Sequence, residues 1–331
     1  MSEQAKTHKE PLLRTVKHAE RSGRQMVGFR LVAVLLSLVA GGLFILALGQ
    51  NPLAVYATIL KGAFRSKMAI QATVKYTVPL CICALGVTLA FKMRFWNIGG
   101  EGQICVGAIA ATYFALFHSD WPQWLLLIVM ALAAILAGGL LPAVFKSRWN
   151  TNETLFTLML NYIALYLVSY LQAGPWRDEA ANGFNKIARF DKNASLDKVF
   201  GVHFGWILML VLVALVWVYL KRTKQGYEIS VVGESQDTAR YAGIHVKRVV
   251  LRTMFLSGAV AGLAGVCQVA GSDMTLSMGV AGGVGFTAII VAWLCQLNPG
   301  MILVVSFLFS VLEKGSGVVQ SEFGLSADSA D

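Results

Sequence analysis

The chain has 331 residues, 56% of them hydrophobic and only 14% charged, with a mean hydropathy of +0.62. Soluble domains carry about 25% charged residues, and this much apolar sequence cannot all be buried in one globule. A soluble enzyme or soluble nucleic-acid-binding protein is excluded, and the net charge of +10 has to be explained by membrane topology.

Apolar runs of roughly 20 residues, the length that crosses a bilayer core, recur along the chain and predict an all-α polytopic transmembrane bundle. Residues 1–25 form a basic N-terminal segment. The run 26–49 is too long for the apolar part of a signal peptide and is followed by no small-residue cleavage site, so a retained helix is expected. Residues 50–67 are mixed in polarity and are expected along the membrane surface. Further spans are expected at 70–91, 99–117, 124–145, 154–173, 205–220, 253–271, 284–297 and 299–313, about nine in all, or ten if a C-terminal span is missing. The membrane domain is thus 26–313, and 314–331 is a polar C-terminal segment.

Between the second and third spans, Phe95 to Gln103 reads FWNIGGEGQ. Asn97, Glu101 and Gln103 put three strong polar groups at a helix mouth, and Gly99, Gly100 and Gly102 permit close approach. A carboxylate is favoured at a helix N-terminus but is costly inside a membrane segment, where it marks a functional site by default. Two readings stay open for Glu101: it caps a broken helix and ties it to a neighbour, or it meets a substrate or gate directly.

Asn150-Thr151-Asn152-Glu153-Thr154 looks like a helix entry with Asn or Thr caps. Within the span that follows, Asn161 needs a hydrogen-bond partner. Tyr162, Tyr166 and Tyr170 share one helix face, either as packing or interface belt or as part of a pathway. The segment 174–204 carries both charge signs with Trp176 and Phe184. It is either a docking face for an external partner or a solvated connector.

The 32 residues from Lys221 to Arg252 are polar and basic between two long apolar runs. Their length and pattern predict a small folded element offered to a partner on one side of the membrane. In the next span, Gly258 and Gly262, with Ala261 and Gly265 repeating the spacing, predict close helix approach. Ser277 to Gly285 is too rich in glycine for regular helix. An irregular or re-entrant entry is expected there, tolerated only inside protein or beside water.

An N-terminus in the cytoplasm places 1–30, 92–94, 146–148 and 221–252 inside, and these segments hold 18 of the 28 Lys and Arg residues. Excess positive charge on cytoplasmic loops supports that orientation. The five cysteines all lie in apolar runs and read as packing residues. The five histidines are scattered, with no metal-ligand spacing and no nucleophile–base pair.

Four segments in order make the chain resemble a known family. They are FWNIGGEGQ with Gly107-Ala108; NETLFTLMLNYIA; GYEISVVGESQDTARYAGI; and SGAVAGLAGV followed by GFTAIIVAWL and LNP. The chain resembles the membrane permease subunits of bacterial ABC importers of the ribose, branched-chain amino acid and nucleoside type, most closely the nucleoside and simple-sugar branch. The match runs from Asn51-Pro52-Leu53 to the Gly-rich C-terminal region.

The resemblance implies a multi-pass subunit of the bacterial cytoplasmic membrane that is not itself an enzyme. It implies a second permease subunit, cytoplasmic ATPase subunits carrying ATP and Mg, and an external substrate-binding lipoprotein. It also makes 221–252 the coupling loop. Gly233 belongs to the family spacing of this loop, and Ser235 to Gly243 then reads as a short helix ended by Gly243, with Ala239 and Ala242 as small contacts, Tyr241 as an anchor, and Glu234 and Asp237 capping its start and meeting basic groups. Asn97, Glu101, Gln103 and Asn161 become candidates for the substrate pathway. The chain has no GxxxxGK[ST] loop, so it binds no ATP itself and needs no cofactor of its own. Trp96, Trp293 and Cys295 depart from what the family leads one to expect, and so does the lack of an apolar span after Gln320.

Nucleoside uptake is the first functional expectation and monosaccharide (ribose-like) uptake the second. A secondary transporter needs intramembrane charges for ion coupling, and apart from Glu101 the spans hold almost no acids.

Overall fold

The computed structural model describes residues 23–149 and 152–324. Most of the basic N-terminal segment, the cap candidates Asn150 and Thr151, and residues 325–331 lie outside the described residues. The chain divides into two compact units, 1–57 and 58–331.

In the first unit α1 (Gly23–Ala47) is followed by the start of α2 (Pro52–Phe64). Asn51 opens α2 by accepting the Leu53 amide at 3.0 Å. The Tyr56 hydroxyl donates to the Leu38 carbonyl at 2.6 Å. The stretch expected along the surface is therefore a helix.

The second unit is an all-α bundle: α3 (Lys67–Lys92), α4 (Gly100–Phe117), α5 (Gln123–Trp149), α6 (Glu153–Ala173), α7 (Gly205–Arg222), α8 (Lys224–Glu234), α9 (Gln236–Tyr241), α10 (Val246–Val266), α11 (Val284–Leu294) and α12 (Pro299–Phe323). Among the described residues seven helices are long and apolar enough to cross a membrane, or eight if α1 and α2 count as one bent span. Three of the expectations change, the first being the run 26–49, which passes as a span only together with α2. The run 284–297 yields only the 11-residue α11, about 17 Å long at 1.5 Å per residue and too short to span alone. The polar C-terminal segment expected from 314 instead continues α12 to Phe323. Small residues permit this: Gly315 and Ser316 are buried, and a Cβ on Gly315 would meet the Ile59 carbonyl at 2.6 Å. Lys314 adds its ammonium over the Tyr76 ring at 4.8 Å.

The helix α10 is the axis of this unit. It continues into a wider π turn over Cys267–Asp273 and is buried along most of its length against α3, α4 and α5. The small-residue stripe makes this possible. A Cβ on Gly258 or Gly262 would strike the backbone of Gly138 or Ala134 on α5, and one on Gly107 would strike Gly262. Three helices thus cross at backbone contact, where dispersion replaces the hydrophobic drive that lipid removes. Gly262→Leu is accordingly expected to reduce folded protein recovered from membranes to background. Gly317→Leu, at a position with open space around its Cβ, should leave the yield unchanged.

The segment between α6 and α7 is a compact cap. It contains a small antiparallel pair, β1 (Lys198–Val199) with β2 (Val202–His203). Its chain is pinned by the Phe190 and Leu196 amides, which donate to the Met274 and Ala270 carbonyls at 2.8 Å each. His203 is fully buried beneath it, and a Cβ on Gly271 would meet its ring at 2.6 Å. Burial, with Lys75 nearby, pushes the imidazole down to about 4, so His203 is neutral.

Candidate functional site: a clamped helix junction and an exposed polar element

The α3–α4 link is where the polar residues gather. The chain leaves α3 through Arg94 in the left-handed region (φ 58), and the Phe95 amide returns to the Ala90 carbonyl at 3.1 Å. Residues 95–99 are then unwound, and unwound backbone inside a bundle has to be satisfied by side chains.

Asn97, fully buried, donates to the Ser257 hydroxyl at 3.0 Å and to Gln103 Oε1 at 3.2 Å. Its Oδ1 accepts the Gly99 amide at 3.0 Å. Asn161 on α6 works from the other side: its Nδ2 donates to the Ile98 carbonyl at 2.9 Å, and its Oδ1 accepts the Gly102 amide at 2.8 Å. Thr157 accepts the Ile98 amide at 3.2 Å.

Glu101 lies one turn further on and is 4% exposed. One carboxylate oxygen accepts the Gly283 amide at 2.8 Å and the other accepts the Gly285 amide at 2.7 Å. These amides belong to the start of α11, whose N-cap Gly283 is left-handed (φ 80) and has no side chain to offer. A neighbouring helix thus supplies the carboxylate cap that α11 lacks, placed where the helix dipole favours it. The approach depends on Gly285, since a Cβ there would meet the Glu101 Cα at 2.5 Å.

Asn97, Glu101, Gln103 and Asn161 therefore come together in one junction joining α3, α4, α6, α10 and α11. Their polar atoms are engaged with one another and with backbone. Thr157, Ser257, Gly283 and Gly285 are partners that the sequence alone does not identify, although all four lie in the segments marked above. Beside the junction Phe91, Trp96 and Trp293 form a three-ring cluster with centroids 5.4–5.6 Å apart. The two indoles are about half exposed.

The polar element 221–252 folds as two helices where one short helix was expected. Thr223 caps α8 by accepting the Gly226 amide at 3.1 Å. Ser235 caps α9 by accepting the Thr238 amide at 3.2 Å, and this replaces the capping expected of Glu234 and Asp237. The other role expected of those acids, meeting basic groups, is seen: Glu234 pairs with Arg94 at 3.1 Å and Asp237 with Arg240 at 2.8 Å. Both pairs are well exposed and add little stability. A half-buried pair, Arg252 with Glu228 at 3.0 Å, ties α8 to α10. Gly233 lets α8 rest on the end of α3, where a Cβ would meet the Lys92 carbonyl at 2.5 Å. Ala239 is fully buried and Tyr241 is 94% exposed. Ala242 closes the helix, and Gly243 follows in the left-handed region (φ 74).

Comparison with known proteins agrees with this architecture. The family model described as "Branched-chain amino acid transport system / permease component" matches residues 69–328. The chain is 32% identical over 316 residues to the glucose ABC transporter permease protein TsgB13 of Haloferax volcanii, covering 91% of this chain and 83% of that one. It is 30% identical over 313 residues to the guanosine ABC transporter permease protein NupP of Bacillus subtilis, covering 91% and 88%. It is 30% identical over 300 residues to the nucleoside ABC transporter permease protein NupB of Lactococcus lactis, covering 86% and 82%. The chain belongs to this permease family, as the multi-pass, non-catalytic membrane subunit of an ABC importer of the nucleoside and sugar type.

Proposed function

We propose that this subunit forms the membrane pathway for nucleoside uptake and couples it to ATP hydrolysis on a separate cytoplasmic ATPase. The observation that carries the coupling half is Tyr241, a large aromatic held almost wholly in solvent on a short capped helix. Such a side chain costs hydrophobic free energy unless a partner covers it. Through Gly233 on the end of α3 and Arg252–Glu228 on α10, a push on α8 and α9 reaches the helices that carry the junction. ATP moves the permease only if docking differs in free energy between its states, and a packed helix in a partner's groove supplies such a difference.

In this reading the basic leader, the α3–α4 link and 221–252 are cytoplasmic, as the distribution of 18 of 28 cations supports. The cap at 174–204 faces outward toward a binding lipoprotein, and a second permease subunit completes the pathway. Asn97, Glu101, Gln103 and Asn161 act on the pathway by holding its wall in one geometry.

Nucleoside is favoured by the names of NupP and NupB and by the exposed indoles of Trp96 and Trp293, flat surfaces suited to a base. Monosaccharide is the second reading, supported by TsgB13. The test is uptake of labelled uridine and guanosine by cells carrying this chain with its ATPase and binding lipoprotein. Saturable uptake that stops on deletion of the ATPase gene and is not competed by glucose or ribose is expected. Competition by the sugar and not by nucleosides would favour the second reading. Uptake driven by an ion gradient without the ATPase would overturn both.

A further inference from the structure

The outward face of α6 carries Tyr162, Tyr166 and Tyr170, which are 55%, 70% and 66% exposed. They lie opposite the buried face of the same helix, made by Thr157, Asn161, Ala164, Val168 and Leu171. No hydroxyl of the three has a hydrogen-bond partner among the described residues. Tyrosines of an interface belt sit near the ends of a span. Tyr162 and Tyr166 instead lie well inside the 21-residue α6, nine and thirteen residues from its first residue. A phenol hydroxyl left unpaired in hydrocarbon is strongly disfavoured. The exposed surface of α6 also carries Leu155, Met159, Ile163 and Leu167, so the tyrosines set three phenols among apolar side chains, whereas Leu132 and Leu136, exposed at mid-span on α5, carry no polar atom.

We propose that this tyrosine ladder lines a water-filled stretch of the translocation pathway and touches the substrate there. Its rungs are about 6 Å apart at 1.5 Å rise per residue, and each offers a flat ring and a hydroxyl. The matching ligand has a ring face to stack and hydroxyls to bond, a nucleoside or a sugar. Asn161, on the buried side of the same helix, anchors α6 to the α3–α4 link through Ile98 and Gly102. The ladder is therefore set on a helix that the junction holds in place.

The proposal rests on the pathway reading above, and the two are separable. Wild-type uptake tests that reading, whereas thiol labelling tests the ladder. Tyr162→Cys, Tyr166→Cys and Tyr170→Cys are made singly in the complete transporter in its own membrane. The five native cysteines are all buried, so background labelling is low. A charged, membrane-impermeant methanethiosulfonate should label Tyr166→Cys and Tyr170→Cys at least about tenfold faster than Leu136→Cys, because thiolate forms only in water. Saturating uridine or glucose, whichever is transported, should slow that labelling. Labelling no faster than at Leu136→Cys would mean that lipid or packed protein covers the face, and would overturn the proposal. Fast labelling that neither compound slows would overturn the substrate contact. The Tyr→Phe triple variant keeps the rings and the fold. It should raise KM for uptake with unchanged protein in the membrane, and an unchanged KM would likewise count against the ladder.

Discussion

Glu101→Gln is expected to reduce uptake at least about tenfold while the amount of protein in the membrane stays within about twofold. The carboxylate accepts two backbone amides, from Gly283 and Gly285, one on each oxygen. Glutamine offers one acceptor and one donor, so one of the amides then faces an NH2 group and stays buried without a partner. Hydrogen bonds to a charged group contribute roughly 1.5–3 kcal/mol each, and the lost bond frees the start of α11. Insertion follows the apolar length of the seven long helices among the described residues, to which that bond adds nothing, so transport is expected to suffer more than assembly. Glu101→Asp retains the charge but shortens the reach, and should fall between wild type and Glu101→Gln. Gly285→Ala provides an independent check, because its methyl would collide with the Glu101 backbone and separate the same two elements with the carboxylate intact. Wild-type uptake by Glu101→Gln, measured with tracer in whole cells, would remove the cap from any account of transport.

The parts of this arrangement differ in how far the sequence reveals them. Seven of the nine expected spans are legible because apolar length decides them in lipid, where every backbone group has to be satisfied locally, whereas 284–297 is apolar enough but broken into the short α11. The α10 crossing is legible too: Gly258 and Gly262 at a spacing of four have few other uses in an apolar helix. The glycine run before α11 shows that regular structure breaks there.

What caps that break is not legible, since Glu101 and Gly283 are 182 residues apart and no local pattern joins them. The same holds for Asn161 and Gly102, two residues that could each be marked as unusual but not paired. The continuation of α12 past 313 is hidden for a different reason. Lys314, Gly315 and Ser316 look like the end of a span, yet the small residues pack on α2 and the lysine lies over Tyr76. In the polar element, Glu234 and Asp237 have the right charge for a cap. Ser235 takes the position because its short hydroxyl reaches the Thr238 amide from extended backbone, which leaves both acids free to pair with arginines.

Tyr241→Asp is expected to have the largest effect on energised transport, with loss of nearly all ATP-dependent uptake and no loss of inserted protein. In the proposed reading Tyr241 is the anchor that the ATPase covers. Tyrosine is among the side chains that dominate interfaces, where truncation costs about 2 kcal/mol or more, a factor of about 30 in affinity. Aspartate adds a charge that the partner's pocket has to desolvate. Because Tyr241 touches almost nothing in its own chain (94% exposed), the change should leave the permease fold intact. Co-purification of the ATPase with the permease in mild detergent should fall in parallel with uptake. Gly243→Asp tests the same element by another route. Its backbone is left-handed (φ 74) with open space around the missing Cβ, so the substitution strains the exit from α9 by about 1–2 kcal/mol without a steric clash. Its defect should be milder and of the same kind. Ala239→Asp separates docking from folding: that residue is fully buried, so a charge there should unfold the element and lower the protein level as well. Normal uptake with normal ATPase co-purification in Tyr241→Asp would show that α9 is not the docking element, and would move the coupling contact elsewhere on the inner surface.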